Sequence, residues 1–272
     1  MPNWPSCAPP NDGERDHGSR DMALMGNAVL AMWWDIAPPD QPGFEHWHTS
    51  EHFAERLAVP GFLRGSRWVA LSGTPHYFVM YELADLDVLA SQQYRDRVNS
   101  PTPWSTRTMA GFRNMVRSQC RVQGSQGGGI AHAMLTLRFS PQEGQAARLR
   151  SWLVGEVLPA LVARAGVSGA HLLENVAPSG PAQVQTAEQK LRGGDASADW
   201  VLLASGYDLQ AMSGLAKDEL NEDLLVRQGA ARDVVAGMYR LGYAMAAGDG
   251  QEHQQRLSAS RQAARHSRRE TT

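Results

Sequence analysis

The sequence predicts an α+β protein made of two tandem βαββαβ repeats whose antiparallel sheets pack face to face into one barrel-like core. Three observations carry this. The chain repeats itself, each copy alternates strand and helix patterns in the same order, and each copy's sheet has a bare face that the other copy can cover.

Residues 28–61 align with 133–166 at a constant offset of 105, without a gap. Ala28, Leu30, Met32 and Trp34 meet Ala133, Leu135, Leu137 and Phe139, an alternation that suits one face of a strand. Phe44, Trp47, Glu51, Leu57 and Gly61 then meet Leu149, Trp152, Glu156, Val162 and Gly166. A second block aligns at an offset of 123: Tyr77–Met80 meets Trp200–Leu203, Asp85-Leu86 meets Asp208-Leu209, and Met115-x-Arg117 meets Met238-x-Arg240. The change of offset puts 18 extra residues in the second copy, and the polar stretch 178–198 is where they fit.

In the first copy the strands are expected at 27–36, 64–71, 76–83 and 114–122. The helices are expected at 42–58 and 85–98, with a further helical turn near 104–111. Pro60-Gly61 stops the first helix, because proline lacks the N–H donor and glycine accepts left-handed backbone. Ser72-Gly73-Thr74-Pro75 reads as a hairpin turn. The organisation that follows is a disordered leader at 1–22, a first ferredoxin-like repeat at 23–123 and a linker at 124–130. The second repeat takes 131–246 with its inserted loop at 178–198, and a disordered polar tail takes 247–272.

The run Trp47-His48-x-x-Glu51-His52-x-x-Glu55-Arg56-Leu57-x-x-Pro60-Gly61-Phe62 resembles the first helix and following turn of EthD-like proteins, members of the dimeric α/β-barrel superfamily. The motif-level likeness covers about 44–68. The resemblance implies an intramolecular dimeric α/β-barrel of two ferredoxin-like halves. It also implies small-molecule chemistry that usually needs no metal or organic cofactor: muconolactone-type isomerases, polyketide cyclases, cofactor-free monooxygenases and some haem-degrading enzymes.

Composition narrows the classes further. A chain of 272 residues with 42% hydrophobic and 20% charged side chains suits a soluble globular protein. A formal net charge of −2 gives no reason to expect nucleic acid or an acidic membrane as partner. No apolar run approaches the roughly 18 residues that span a bilayer. Cys7 and Cys120 read as free thiols of a cytoplasmic protein. There is no G-x-S-x-G elbow, P-loop or G-x-G-x-x-G fingerprint, and the only lysines are Lys190 and Lys217.

The repeat also offers an internal control for function. Positions needed by the fold should be apolar or turn-forming in both copies. His48, His52 and Arg56 align with Leu153, Val157 and Leu161, a buried helical stripe at i, i+4, i+8. Arg67 aligns with Leu172 and Tyr81 with Ala204. Polar side chains on a face that the mate uses for packing need partners or a cavity. Satisfied core histidines are one reading of His48 and His52; a proton shuttle is the other, because histidine titrates near neutrality. Arg56 and Arg67 suit a substrate carboxylate or an ion pair. His48 and His52 also have H-x-x-E-H spacing, but Glu51 is matched by Glu156 in a copy with neither histidine and no third ligand is specified, so no metal is expected. Trp34 is read as core or cavity wall, Trp104 as a loop residue that caps a pocket, and Glu188, in the inserted loop, as a lid acid.

The expected function is therefore a cofactor-independent enzyme of aromatic or ring-cleavage-product catabolism, of isomerase or cyclase/lyase type, acting by His-mediated proton transfer on a carboxylated conjugated substrate. His48, His52 and Glu188 are the catalytic candidates, and Arg56, Arg67, Tyr81, Trp104 and Trp34 the substrate-binding ones. A cofactor-free or haem-linked monooxygenase, and a non-catalytic ligand-binding protein, stand as alternatives. The partner is a small molecule, and homodimerisation is left open.

Overall fold

The computed structural model describes residues 24–72, 75–176 and 185–249. The leader at 1–22, Cys7, part of the inserted loop and nearly all of the tail lie outside the described residues. The first repeat begins with β1 (Ala28–Asp35). A helix follows in three parts: α1 (Gln41–Trp47), a π turn (His48–His52) and α2 (Phe53–Leu57). Then come β2 (Phe62–Ser72), β3 (Tyr77–Leu83), α3 (Gln92–Asn99), α4 (Pro103–Met109) and β4 (Arg113–Gly127). The second repeat has β5 (Ala133–Phe139), α5 (Ala146–Trp152), a π turn (Leu153–Val157), α6 (Leu158–Val162) and β6 (Val167–Asn175). It closes with α7 (Ala187–Leu191), β7 (Trp200–Gly206), α8 (Leu209–Leu215), α9 (Glu222–Arg227) and β8 (Val235–Ala246).

The eight strands close into an antiparallel barrel in the order β1-β3-β2-β8-β5-β7-β6-β4. Each strand sends alternate residues inward and outward. Val29, Ala31, Trp33, Phe78 and Met80 of the first repeat pack inside the barrel with Met134, Leu173, Val201 and Leu203 of the second. The outward rows (Leu30, Met32 and Trp34 in one repeat; Leu135, Leu137 and Phe139 in the other) pack under their own helices. Cys120 is a buried free thiol of the barrel core, its pKa pushed up by burial.

The repeat is visible in the ladders. Trp34 pairs with Tyr77 and Phe139 with Trp200, as the two offsets require. Arg67 pairs with Val79 and Leu172 with Leu202, which keeps Arg67 opposite Leu172. Gly61 and Gly166 end the equivalent helices at the same φ of +93°, where a Cβ would fall 2.3 Å from Val88 and 2.7 Å from Ala211.

Two expectations need correction. The segment 124–130 is not a free linker: β4 runs on to Gly127, and Gly124–Gly127 pair with Leu172–Gly169 of β6. Its glycine content reflects packing, since a Cβ on Gly124 would come within 2.8 Å of Val154. The Met-x-Arg match is also out of register. Ala28 pairs with Arg121 and Ala133 with Arg240, so the last strands correspond at an offset of 119, not 123.

Candidate functional site

Both first helices contain a π turn at the same place. Phe53 N–H donates to His48 O, and Leu158 N–H donates to Leu153 O. A π turn often marks a functional site, but its presence in both repeats makes it part of the scaffold. What differs is the cargo of its inner face. Leu153, Val157 and Leu161 are buried apolar residues. His48, His52 and Arg56, at 1%, 7% and 3% exposure, are just as buried. The inward direction expected from the repeat is the observed one.

These side chains line a cavity of about 540 Å³ between the first sheet and its helices. Its aromatic end has Trp34 stacked on Phe112 with centroids 4.9 Å apart, and Trp47 against His52 at 4.5 Å. The His48 and His52 rings lie nearly parallel, 5.5 Å apart. Its charged end has Arg56, Tyr81, Tyr94, Arg117, Gln119 and Arg121. The roof comes from the other repeat. The described part of the insertion forms α7, whose Thr186–Gln189 capping box starts the helix and aims Glu188 inward. Glu188 is 6% exposed and forms an ion pair with Arg56 across the repeat boundary. Strand-like contacts fasten the segment further: Arg117 N–H donates to Ala196 O, and Ala198 N–H to Ser118 Oγ at 2.9 Å.

The electrostatics set the protonation states. Burial, then the charges of Arg67 and Arg56, holds the His48 pKa well below its ordinary value. Burial, then Arg56 and His48, does the same to His52. Both are neutral imidazoles at neutral pH. Burial alone would lower the Arg56 pKa, but Glu188 outweighs it and keeps the guanidinium charged. Tyr81 is pushed up by burial, which the Arg56 charge opposes only in part, so its hydroxyl keeps its proton. His48 Nδ1, His52 Nδ1, Trp34 Nε1 and Tyr81 OH are all buried with no hydrogen-bond partner among the described residues. Four such atoms from the walls of one cavity are groups that a ligand could satisfy.

The remaining candidates fall elsewhere. Arg67 is buried but does not line the cavity: its Nη1 donates to Glu45 O at 3.2 Å and Thr49 Oγ1 at 3.0 Å, with the guanidinium between the Phe44 and Tyr243 rings. It ties β2 to the helix bearing His48. Trp104 does not line the cavity either. It sits on α4 against His46, ring centroids 5.2 Å apart, because Pro103-Trp104 starts a helix rather than continuing a loop. Arg56 lines the cavity, but its carboxylate partner is the chain's own Glu188. Glu51 accepts from Thr102 Oγ1 at 2.6 Å, tying α4 to the π turn. Among the described residues no group of three or more His, Cys, Asp or Glu is placed to hold a metal ion. No helix among them is long and apolar enough to cross a membrane.

Arg117 is the cavity residue that sequence reasoning passed over. The four-position slip set it opposite Arg240, as though shared by both repeats. In the ladders Met32 pairs with Arg117 and Leu137 with Ala236, so its true mate is alanine. The signal was present in the alternation of the last strand, masked by a better-looking Met-x-Arg match.

No protein-family model and no curated protein matches the chain. Solved structures do. An anthrone oxidase-like protein superposes with a TM-score of 0.56 at 11% identity, over 82% of this chain and 94% of the other. A candidate monooxygenase from Lactobacillus acidophilus NCFM gives 0.53 at 7% identity, over 81% and 97%. Another from Fusobacterium nucleatum gives 0.50 at 9%, over 82% and 96%. At such identities the likeness concerns the fold, and it does not single out the EthD-like branch. This chain has the fold of the dimeric α/β-barrel superfamily, with both halves of the barrel in one polypeptide.

Proposed function

We propose that this protein is an enzyme that takes a proton from a flat, conjugated small molecule, with the His48–His52 pair as base. The observation that supports it is the pair itself: two buried, neutral imidazoles with unpartnered Nδ1 atoms, where the equivalent helix has Leu153 and Val157. A depressed pKa has two consequences. The base form is present at neutral pH, and the base is weak, so the substrate must have an acidic C–H or O–H of the kind that conjugation to a carbonyl provides. The aromatic end of the cavity, with Trp34 and Phe112 stacked, suits a planar ring system. Tyr81, held protonated, can donate to the oxygen on which the enolate charge collects. His52 is the more open of the two histidines to the cavity and is assigned the transfer; His48 packs behind it against Trp34 and Phe53.

Returning the proton to another carbon would make an isomerase or cyclase. A second reading passes the carbanion to dioxygen. It is favoured by neighbours named as anthrone oxidase-like and monooxygenase. Anthrone, a planar ketone with an acidic methylene, separates the outcomes. Deuterium uptake at its methylene in D₂O under argon reports proton transfer. Oxygen uptake in air, one O₂ consumed per anthrone converted to anthraquinone and water, reports the second reading. Wild-type protein is expected to accelerate exchange over buffer, and His52→Gln to lose about 100-fold or more of that acceleration. No acceleration by the wild type, or equal rates in His48→Gln, His52→Gln and wild type, would overturn the proposal.

A further inference from the structure

The cavity lining is unbalanced in charge, and the imbalance points to a substrate class. Arg56, Arg95, Arg117, Arg121 and Arg192 line it against only two carboxylates, Asp87 and Glu188. Two of the five are paired within the chain: Arg56 with Glu188, and Arg192 with Asp195 through Nε at 2.7 Å and Nη2 at 2.8 Å. Arg95 is exposed, donating to Gln92 Oε1 on its own helix and to Ala90 O in the turn before it. Arg117 and Arg121 have no carboxylate within ion-pairing distance among the described residues. Arg117 is half-buried, and its Nη2 donates to Tyr94 OH at 3.1 Å, which fixes the guanidinium without neutralising it.

Arg117, Gln119 and Arg121 alternate along β4 and so share its helix-facing side, beside Met32, Leu30 and Ala28 of β1. Their register mates on β8 are Ala236, Met238 and Arg240. The second repeat therefore has an exposed alanine and a buried methionine where the first presents a cation and an amide to the cavity. Arg117 feels the charge of Asp195, whose two oxygens already accept from Arg192 and Gln189. An arginine that is half-buried, oriented and without a carboxylate in contact is a ready fork for a planar anion.

We propose that the substrate carries a carboxylate, bound by Arg117 with Arg121 at the rim, while its ring system extends towards Trp34 and the histidines. This deepens the proton-transfer reading of the same cavity but is tested by binding alone, so it survives or fails separately from catalysis. The carboxylate role expected for Arg56 and Arg67 thus passes to a residue on another strand.

The test compares two probes of one ring system, anthraquinone-2-carboxylate and anthraquinone-2-carboxamide, by quenching of tryptophan fluorescence, since Trp34 and Trp47 line the cavity. The wild type is expected to bind the carboxylate about 10- to 100-fold more tightly than the amide, the range of a charge-assisted contact. Arg117→Met should remove most of that preference by weakening the carboxylate far more than the amide, with an unchanged Tm showing the fold intact. Arg121→Gln, at an exposed position, should remove part of it. Equal affinities in the wild type, or a preference undiminished in both variants, would overturn the assignment. His52→Gln should keep the preference whatever it does to turnover.

Discussion

The ion pair between Arg56 and Glu188 joins the first repeat's helix to the second repeat's insertion, and a double-mutant cycle can weigh it. Their side chains are 4% and 7% exposed. Glu188→Leu strands a buried guanidinium, at a general cost of about 3–5 kcal/mol. Two features reduce this. The Arg56 guanidinium keeps its place 5.9 Å from the Tyr94 ring centroid, a contact of about 0.5–1 kcal/mol. The five-residue α7 can also lift locally and admit water. We expect a loss of about 2–3 kcal/mol, which lowers Tm by about 4–12 °C in a protein of this size. Arg56→Leu copies the mate residue Leu161 but strands Glu188, and should cost about 2 kcal/mol. The double variant Arg56→Leu/Glu188→Leu removes both charges and should lie within about 1 kcal/mol of wild type. The coupling is then about 3 kcal/mol or more. Urea denaturation of the four proteins, with calorimetry alongside, measures it. Single variants that each cost under about 1 kcal/mol, or a double variant equal to the sum of the singles, would refute this account of the pair.

The buried histidines make stability depend on pH. The folded pKa values of His48 and His52 lie well below 6.5, and burial with the Arg64 charge takes His171 down to about 4. Below about pH 6.5 the unfolded chain binds protons that the native state refuses. Stability is thus fully present above that pH and falls as the pH drops towards the folded values. His48→Leu/His52→Val, which installs the mate residues, should flatten Tm between pH 7 and 5, and an unchanged slope would argue against neutral burial. Gly61→Ala, at φ +93° with a Cβ 2.3 Å from Val88, should cost about 2 kcal/mol by thermal melting, whereas Gly128→Ala, with nothing within 4 Å, should change little.

The fold could be read from the chain because duplication supplied a second measurement of each position. Apolar alternation at Leu30 and Leu135, and the glycines at 61 and 166, each had a counterpart to check against. The inner stripe of His48, His52 and Arg56 was legible for the same reason. What failed did so where local pattern and global register part company. Residues 124–127 looked like the start of a linker because glycine is common in linkers, yet Gly124 makes room for Val154 and the segment continues a strand. Arg67 carries the same mark as Arg56, a cation opposite leucine, but whether such a cation faces a cavity or Thr49 depends on distances that no alignment contains. The placement of Glu188 over the opposite repeat is likewise a matter of where a long insertion lands. The sequence marked Glu188 only as an acid in a long inserted loop.

Closing the barrel within one polypeptide has a consequence for what the protein can become. In a symmetric homodimer every substitution appears twice, so a histidine that serves one helix must be tolerated on both. Here the two helices carry separate codons. One carries Leu153, Val157 and Leu161 as buried packing residues, while the other carries His48, His52 and Arg56 at the same positions. The stable half can then donate a roof, α7, that its partner half lacks. Asymmetry of this kind lets one side of a barrel drift towards new chemistry while the other preserves the shape that both depend on.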